Sequence, residues 1–118
     1  MKRRLVFSLG LLSCLLFSVQ AFAIQYGDPQ AGAEKFQDKG CVNCHREGGH
    51  STVPTFPILA GQPSDYLARS LLAYKKGARE NPIMQGQASG LSEQDIHDIA
   101  EYLSQQSTSL AVVPGIGE

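Results

Sequence analysis

The sequence predicts a small all-α domain folded around a large non-protein group. Three observations point there. Helical apolar spacing recurs in three segments, each opened by a capping or starter residue, and no stretch alternates like a β-strand. The loops between those segments are rich in Gly and Pro for a chain of 118 residues. Once the leader-like N-terminus is set aside, no Trp and only Cys41 and Cys44 remain, too little for a self-sufficient core or a disulfide framework.

The N-terminus reads as a secretory signal. Lys2, Arg3 and Arg4 precede an apolar run over residues 5–19, and Ala21-Phe22-Ala23 is a small-x-small cleavage site. Cleavage after Ala23 leaves residues 24–118. Two alternatives share the same outcome. Residues 5–27 carry no charge and are long enough for an uncleaved anchor, and Leu12-Ser13-Cys14 resembles a loose lipoprotein site. All three put the folded part outside the cytoplasm, in the periplasm. Losing Lys2, Arg3 and Arg4 from ten basic residues leaves seven against eleven acidic ones. An acidic domain is a poor match for nucleic acid or an anionic lipid surface.

The first helix is expected over residues 29–39. Asp28 is its N-cap, Pro29 its first position and Gly40 its stop. The second has Pro63 near its start and Ser64-Asp65 in the first turn. It ends on Lys75-Lys76 with Gly77 as the stop, and buries Leu67, Leu71 and Tyr74. The third begins at Ser92 with Asp95 three residues on, a relative of the capping box, and Leu91 can staple onto Ile96. Its stripe of Ile96, Ile99, Ala100 and Leu103 runs to about Gln106. A loop with Gly48, Gly49, Pro54, Pro57 and Gly61 is expected between the first two helices, and one with Asn81-Pro82-Ile83-Met84, Gly86 and Gly90 between the last two; residues 107–118 are expected as a flexible tail.

Cys41-Val42-Asn43-Cys44-His45 is the C-x-x-C-H motif for covalent attachment of a c-type haem. Two intervening residues let both thiols reach vinyl groups on one porphyrin edge. The His that follows then places an imidazole nitrogen under the iron. A structural zinc site needs four ligands, and a thioredoxin-type site needs a βαβ pattern; the chain has neither. Met84 is the only Met besides Met1, and its thioether is a soft ligand for the second axial position. His50 and His97 are the rival ligands. His50 lies too near His45 in sequence to cross the porphyrin, and His97 lies off the apolar face as a surface residue. The second ring nitrogen of His45 needs a carbonyl, for which Pro54 or Pro57 is the candidate, Pro54 slightly preferred.

With these residues in view, residues 28–106 resemble class I cytochrome c. The resemblance rests on Cys41, Cys44, His45, Met84 and the last helix, with Gly32 and Phe36 meeting Tyr102 where the terminal helices cross. It implies three main helices wrapped around one covalently attached haem. More narrowly, Pro54-Thr55-Phe56-Pro57-Ile58-Leu59-Ala60-Gly61-Gln62 and Asn81-Pro82-Ile83-Met84 look like the periplasmic c-four-type cytochromes, which are tandem dihaem proteins. This chain has one attachment motif, so it is similar to one half of such a protein or to a single-haem carrier.

The expected function is electron transfer between protein partners, through transient contacts. A six-coordinate iron leaves no open position for a substrate, so the chain is expected to be a carrier rather than an enzyme. The alternative is the haem c subunit of a periplasmic oxidoreductase. Contact with a membrane would come only through partner complexes or an uncleaved N-terminus. Lys75, Lys76 and Arg79 form a basic cluster that could steer an acidic partner, or simply complement a helix dipole.

Overall fold

The computed structural model describes residues 26–108. The expected signal sequence and nearly all of the expected tail lie outside them. The described residues form helices α1 (Pro29–Asp38), α2 (Val42–His45), α3 (Ser64–Lys75), α4 (Pro82–Ser89) and α5 (Glu93–Ser104), with a 3-10 turn at Glu47–Gly49. Among them there is no strand, and no helix is long and apolar enough to cross a membrane.

Helix α1 starts as its sequence dictates. The Asp28 carboxylate accepts from the N–H groups of Gln30 at 2.8 Å and Ala31 at 3.2 Å, and Pro29 fills a position that needs no donor. Gly40, at φ 77°, turns the chain out of α1 and into the cysteine motif. Helix α3 spans the expected segment. Helix α5 opens with a reciprocal capping box: Ser92 Oγ accepts from Asp95 N at 3.0 Å, and Asp95 Oδ2 accepts from Ser92 N at 2.9 Å. Asp is short for that role, yet at N3 it reaches. The helix ends at Ser104, with Gln105 as its C-cap, two residues before the expected end.

Helix α4 departs from expectation: the segment around Met84 is helical, not a loop. Asn81 caps it, with Oδ1 accepting from Met84 N at 3.1 Å, and Pro82 takes the first helical position. The two glycines at 86 and 90 suggested a loop. The Asn-Pro pair is the stronger local signal, because it satisfies one orphan N–H and removes another.

The core sits where α1, α3 and α5 meet. Phe36, Ile96, Ile99 and Leu103 are its largest fully buried side chains, with Leu67, Ala68 and Leu91 around them. Helices α1 and α5 cross in close contact at Gly32, where any Cβ would collide with the Asp98 carbonyl. One turn on, the rings of Phe36 and Tyr102 pack at 5.7 Å.

A buried polar knot locks the same crossing. Asp98 is 2% exposed. It accepts from the Asp28 backbone N–H, the Gln94 amide and the Lys35 ammonium, and Lys35 also reaches Asp95 at 3.0 Å. Burial pushes the Asp98 carboxyl up, but Lys35, Asp28 and Gln94 together outweigh it and hold the group below the usual carboxylate range. The Ser92 backbone N–H, followed by Lys35, lowers Asp95 to about 2. The hydrogen bond to Asp98, followed by that to Asp95, raises Lys35.

The 50–63 segment is irregular but tethered. Gly49 O accepts from Leu59 N at 2.9 Å, and Gly61 N donates to Leu103 O, also at 2.9 Å. These bonds tie the loop to the 3-10 turn and to the end of α5, and so hold it as one wall of the site.

Candidate haem-binding site

A cavity of about 470 Å³ opens between these elements, within the size range of small-molecule and cofactor pockets. Helix α2 and the residue before it bring Cys41, Cys44 and His45 to its wall. Helix α4 brings Ile83 and Met84, and α3 brings Tyr66, Leu67 and Leu71. Phe36, Ile99 and Leu103 close it from α1 and α5. The wall is mainly apolar, carries no Asp or Glu, and contains Arg79.

Geometry follows from one turn of chain. His45 N donates to Cys41 O at 3.0 Å and Cys44 N to the same oxygen at 3.3 Å, so α2 winds the motif into a single turn. That turn puts positions i and i+3 on one face, and both thiols are free there. Burial pushes the Cys41 thiol up, so it rests protonated.

His45 is 6% exposed. Its Nδ1 lies 3.1 Å from Pro57 O, and a proton on Nδ1 donated to that carbonyl leaves the Nε2 lone pair free. The slight preference for Pro54 is therefore corrected: the carbonyl belongs to Pro57. Phe56 N donates to Val53 O at 3.0 Å, which puts Pro54 at the second position of a turn, where it is exposed. That turn sends the chain back so that the Pro57 carbonyl faces the imidazole. Phe56 then packs edge-on against the His45 ring at 6.4 Å.

Met84 is half-buried at the cavity wall, and its backbone is fixed by Asn81. Neither His50 nor His97 lines the cavity. His50 is exposed beside a separate shallow depression with Glu47 and Tyr102. His97 is half-buried rather than an exposed surface residue, and its backbone carbonyl lies close against Gly27.

The basic cluster divides in the same way. Lys75 Nζ donates to Leu91 O at 2.6 Å and Ser89 O at 3.1 Å, serving carbonyls at the end of α4. Arg79, itself exposed, stacks over the Tyr74 ring, donates to Ser70 and lines the cavity. Sequence spacing alone grouped Arg79 with the lysines, because a cation near a helix end carries no mark of which way it turns.

A family model described as cytochrome c matches residues 29–107. The chain belongs to the cytochrome c family. Its cofactor is one covalently bound haem c, and the donor set at the cavity fits it: two free thiols, a buried imidazole oriented from behind, and a thioether. The chain is 41% identical over 87 residues to cytochrome c4 of Thiocapsa roseopersicina, covering 74% of this chain and 44% of that protein. It is 42% identical over 83 residues to cytochrome c-554(548) of Halomonas halodenitrificans, covering 68% of this chain and 98% of that one. The cytochrome c4 structure from Acidithiobacillus ferrooxidans superposes with a TM-score of 0.61 at 29% identity, covering 72% of this chain and 53% of that one. The chain thus spans about half the length of the c4 relatives and nearly all of c-554(548).

Proposed function

We propose that this chain is an exported, periplasmic electron carrier that cycles one haem c between ferrous and ferric iron. The convergence of Cys41, Cys44, His45 and Met84 on one mainly apolar cavity carries that reading. In it, Cys41 and Cys44 form the thioethers, and His45 and Met84 are the axial ligands. When bound, the haem supplies a one-electron couple. The residues supply the rest. Pro57 holds His45 in the ligating tautomer. Asn81 fixes the turn that carries Met84. The apolar wall keeps water away and, with thioether ligation, favours the less charged ferrous state. Two protein ligands leave no site for a substrate, which suits transient contacts with redox partners.

A second reading has support of its own. The cytochrome subunit of sulfide dehydrogenase from Chlorobaculum tepidum is 33% identical over 67 residues, which favours a haem subunit held to a catalytic partner. Purification from the native cell separates the two: a carrier elutes alone on sizing, and a subunit elutes with a stoichiometric partner.

The ferric absorption spectrum tests the ligand set. The proposal expects the far-red band of thioether-ligated ferric haem, together with reversible one-electron reduction. A spectrum without that band, combined with tight binding of cyanide to the ferric protein or of carbon monoxide to the ferrous protein, would overturn it.

A further inference from the structure

Phe56 lines the cavity and also packs edge-on against the His45 ring, with 6.4 Å between ring centroids and 62° between planes. That spacing lies within the range of favourable edge-to-face aromatic pairs. The next residue, Pro57, presents the carbonyl that lies 3.1 Å from His45 Nδ1. Two consecutive residues of one loop therefore meet the same imidazole.

The second contact is not redundant. A histidine ring turns about its Cβ–Cγ bond in a broad well, and a carbonyl accepts a hydrogen bond over a wide range of angles. Pro57 is exposed, so water can compete for its carbonyl. A bulky flat ring packed against the imidazole blocks a rotation that the hydrogen bond alone tolerates. The loop is built to hold that ring. Ser51 is buried. Its Oγ accepts from Val53 N at 3.2 Å and donates to Val53 O at 3.3 Å. Val53 O in turn accepts from Phe56 N at 3.0 Å, so successive turns lead from a buried hydroxyl to Phe56.

We propose that Phe56 is a positioning residue for the axial imidazole: its ring, together with the Pro57 carbonyl, fixes the rotation of His45 and so the orientation in which it meets the iron. This rests on the haem reading above. A residue that merely fills apolar space beside a porphyrin needs bulk, whereas a positioning residue needs a flat ring at a set angle. The two roles therefore respond differently to substitution.

The test uses the exported holoprotein as wild type, Phe56→Tyr and Phe56→Leu, with haem content measured by the pyridine haemochrome. Tyr keeps the ring, and Leu keeps apolar bulk without it. Two NMR readouts report on His45 itself. Exchange of its Nδ1 proton in the ferrous protein shows how often the ring leaves Pro57. The pattern of haem methyl shifts in the ferric protein shows the direction of the imidazole plane. In Phe56→Leu the proton should exchange about two- to tenfold faster, and the methyl pattern should change. Phe56→Tyr should keep both at wild-type values. A fully haem-loaded Phe56→Leu protein with wild-type exchange and wild-type methyl shifts would overturn the proposal and leave the carrier reading intact. A wild-type chain that matures without haem would overturn both.

Should Phe56→Leu fail to mature, NMR of the ferrous wild-type protein decides. Nuclear Overhauser contacts between the Phe56 and His45 ring protons, with slow flipping of the Phe56 ring, support the proposal. A Phe56 ring that flips freely and shows no such contact overturns it.

Discussion

Met84 and His45 carry the proposed chemistry, and each has a residue behind it. Replacing Met84 by Ala should leave the haem attached but open one axial position. The far-red band should vanish, the potential should fall, and carbon monoxide should bind the ferrous protein, all visible in one spectroelectrochemical experiment. Gly32→Ala probes a different contact: a methyl there meets the Asp98 carbonyl at the α1–α5 crossing. It should destabilise the holoprotein by about 1–3 kcal/mol in denaturant titration. The thiols, the imidazole and the thioether were all legible as residues, because their chemistry is written in identity and spacing. Pro57 was not separable from Pro54 on that basis. Which carbonyl faces His45 depends on the Val53–Phe56 turn, and the direction of that turn is a property of the folded loop.

Among the elements, α1, α3 and α5 could be read from caps, stops and apolar period. Helix α4 could not be read from period, because Pro82–Ser89 has no clean apolar stripe. Its start lay in Asn81-Pro82 all the same. Asn81→Ala should cost about 1 kcal/mol, and its signature should be local: faster amide exchange in α4, with α5 unchanged.

The knot joining α1 to α5 makes a pH prediction. Asp95 is lowered from the ordinary 3.8 to about 2, first by the Ser92 N–H and then by Lys35. Its contribution is therefore complete above about pH 5, where the unfolded carboxyl is also ionised, and is lost as pH falls toward 2. Asp98 acts in the same direction. Lys35 acts at the other end: its raised pKa adds stability below its unfolded value, lost as pH climbs through the folded one. Asp95 is 17% exposed, so its share is on the order of 2 kcal/mol at neutral pH. Denaturant midpoints of Asp95→Asn and wild type should differ at pH 7 and converge near pH 2. Equal separation at both would contradict the assignment.

For the molecule as a whole, the polypeptide core is small and its cavity is large. Phe36, Ile96, Ile99 and Leu103 are the largest side chains it buries completely, while Leu67, Leu71 and Phe56 face the space a porphyrin would fill. Fold stability and cofactor are therefore expected to be one equilibrium. The Cys41→Ala/Cys44→Ala double variant should lose cooperative thermal unfolding and much of its helical circular dichroism, not merely its colour. The sequence made the need for such a group visible through what it lacks, since Cys41 and Cys44 are its only described cysteines and both thiols are free. It did not reveal that the exposed Arg79 lies along the cavity wall, because that depends on stacking over the Tyr74 ring and a hydrogen bond to Ser70.

Exported chain, analysed by pyridine haemochrome and intact mass, addresses the central claim most directly. The account predicts one haem per chain, a spectrum with both vinyl groups saturated, and no titratable thiol at Cys41 or Cys44. A folded, colourless chain with both thiols reactive would contradict it.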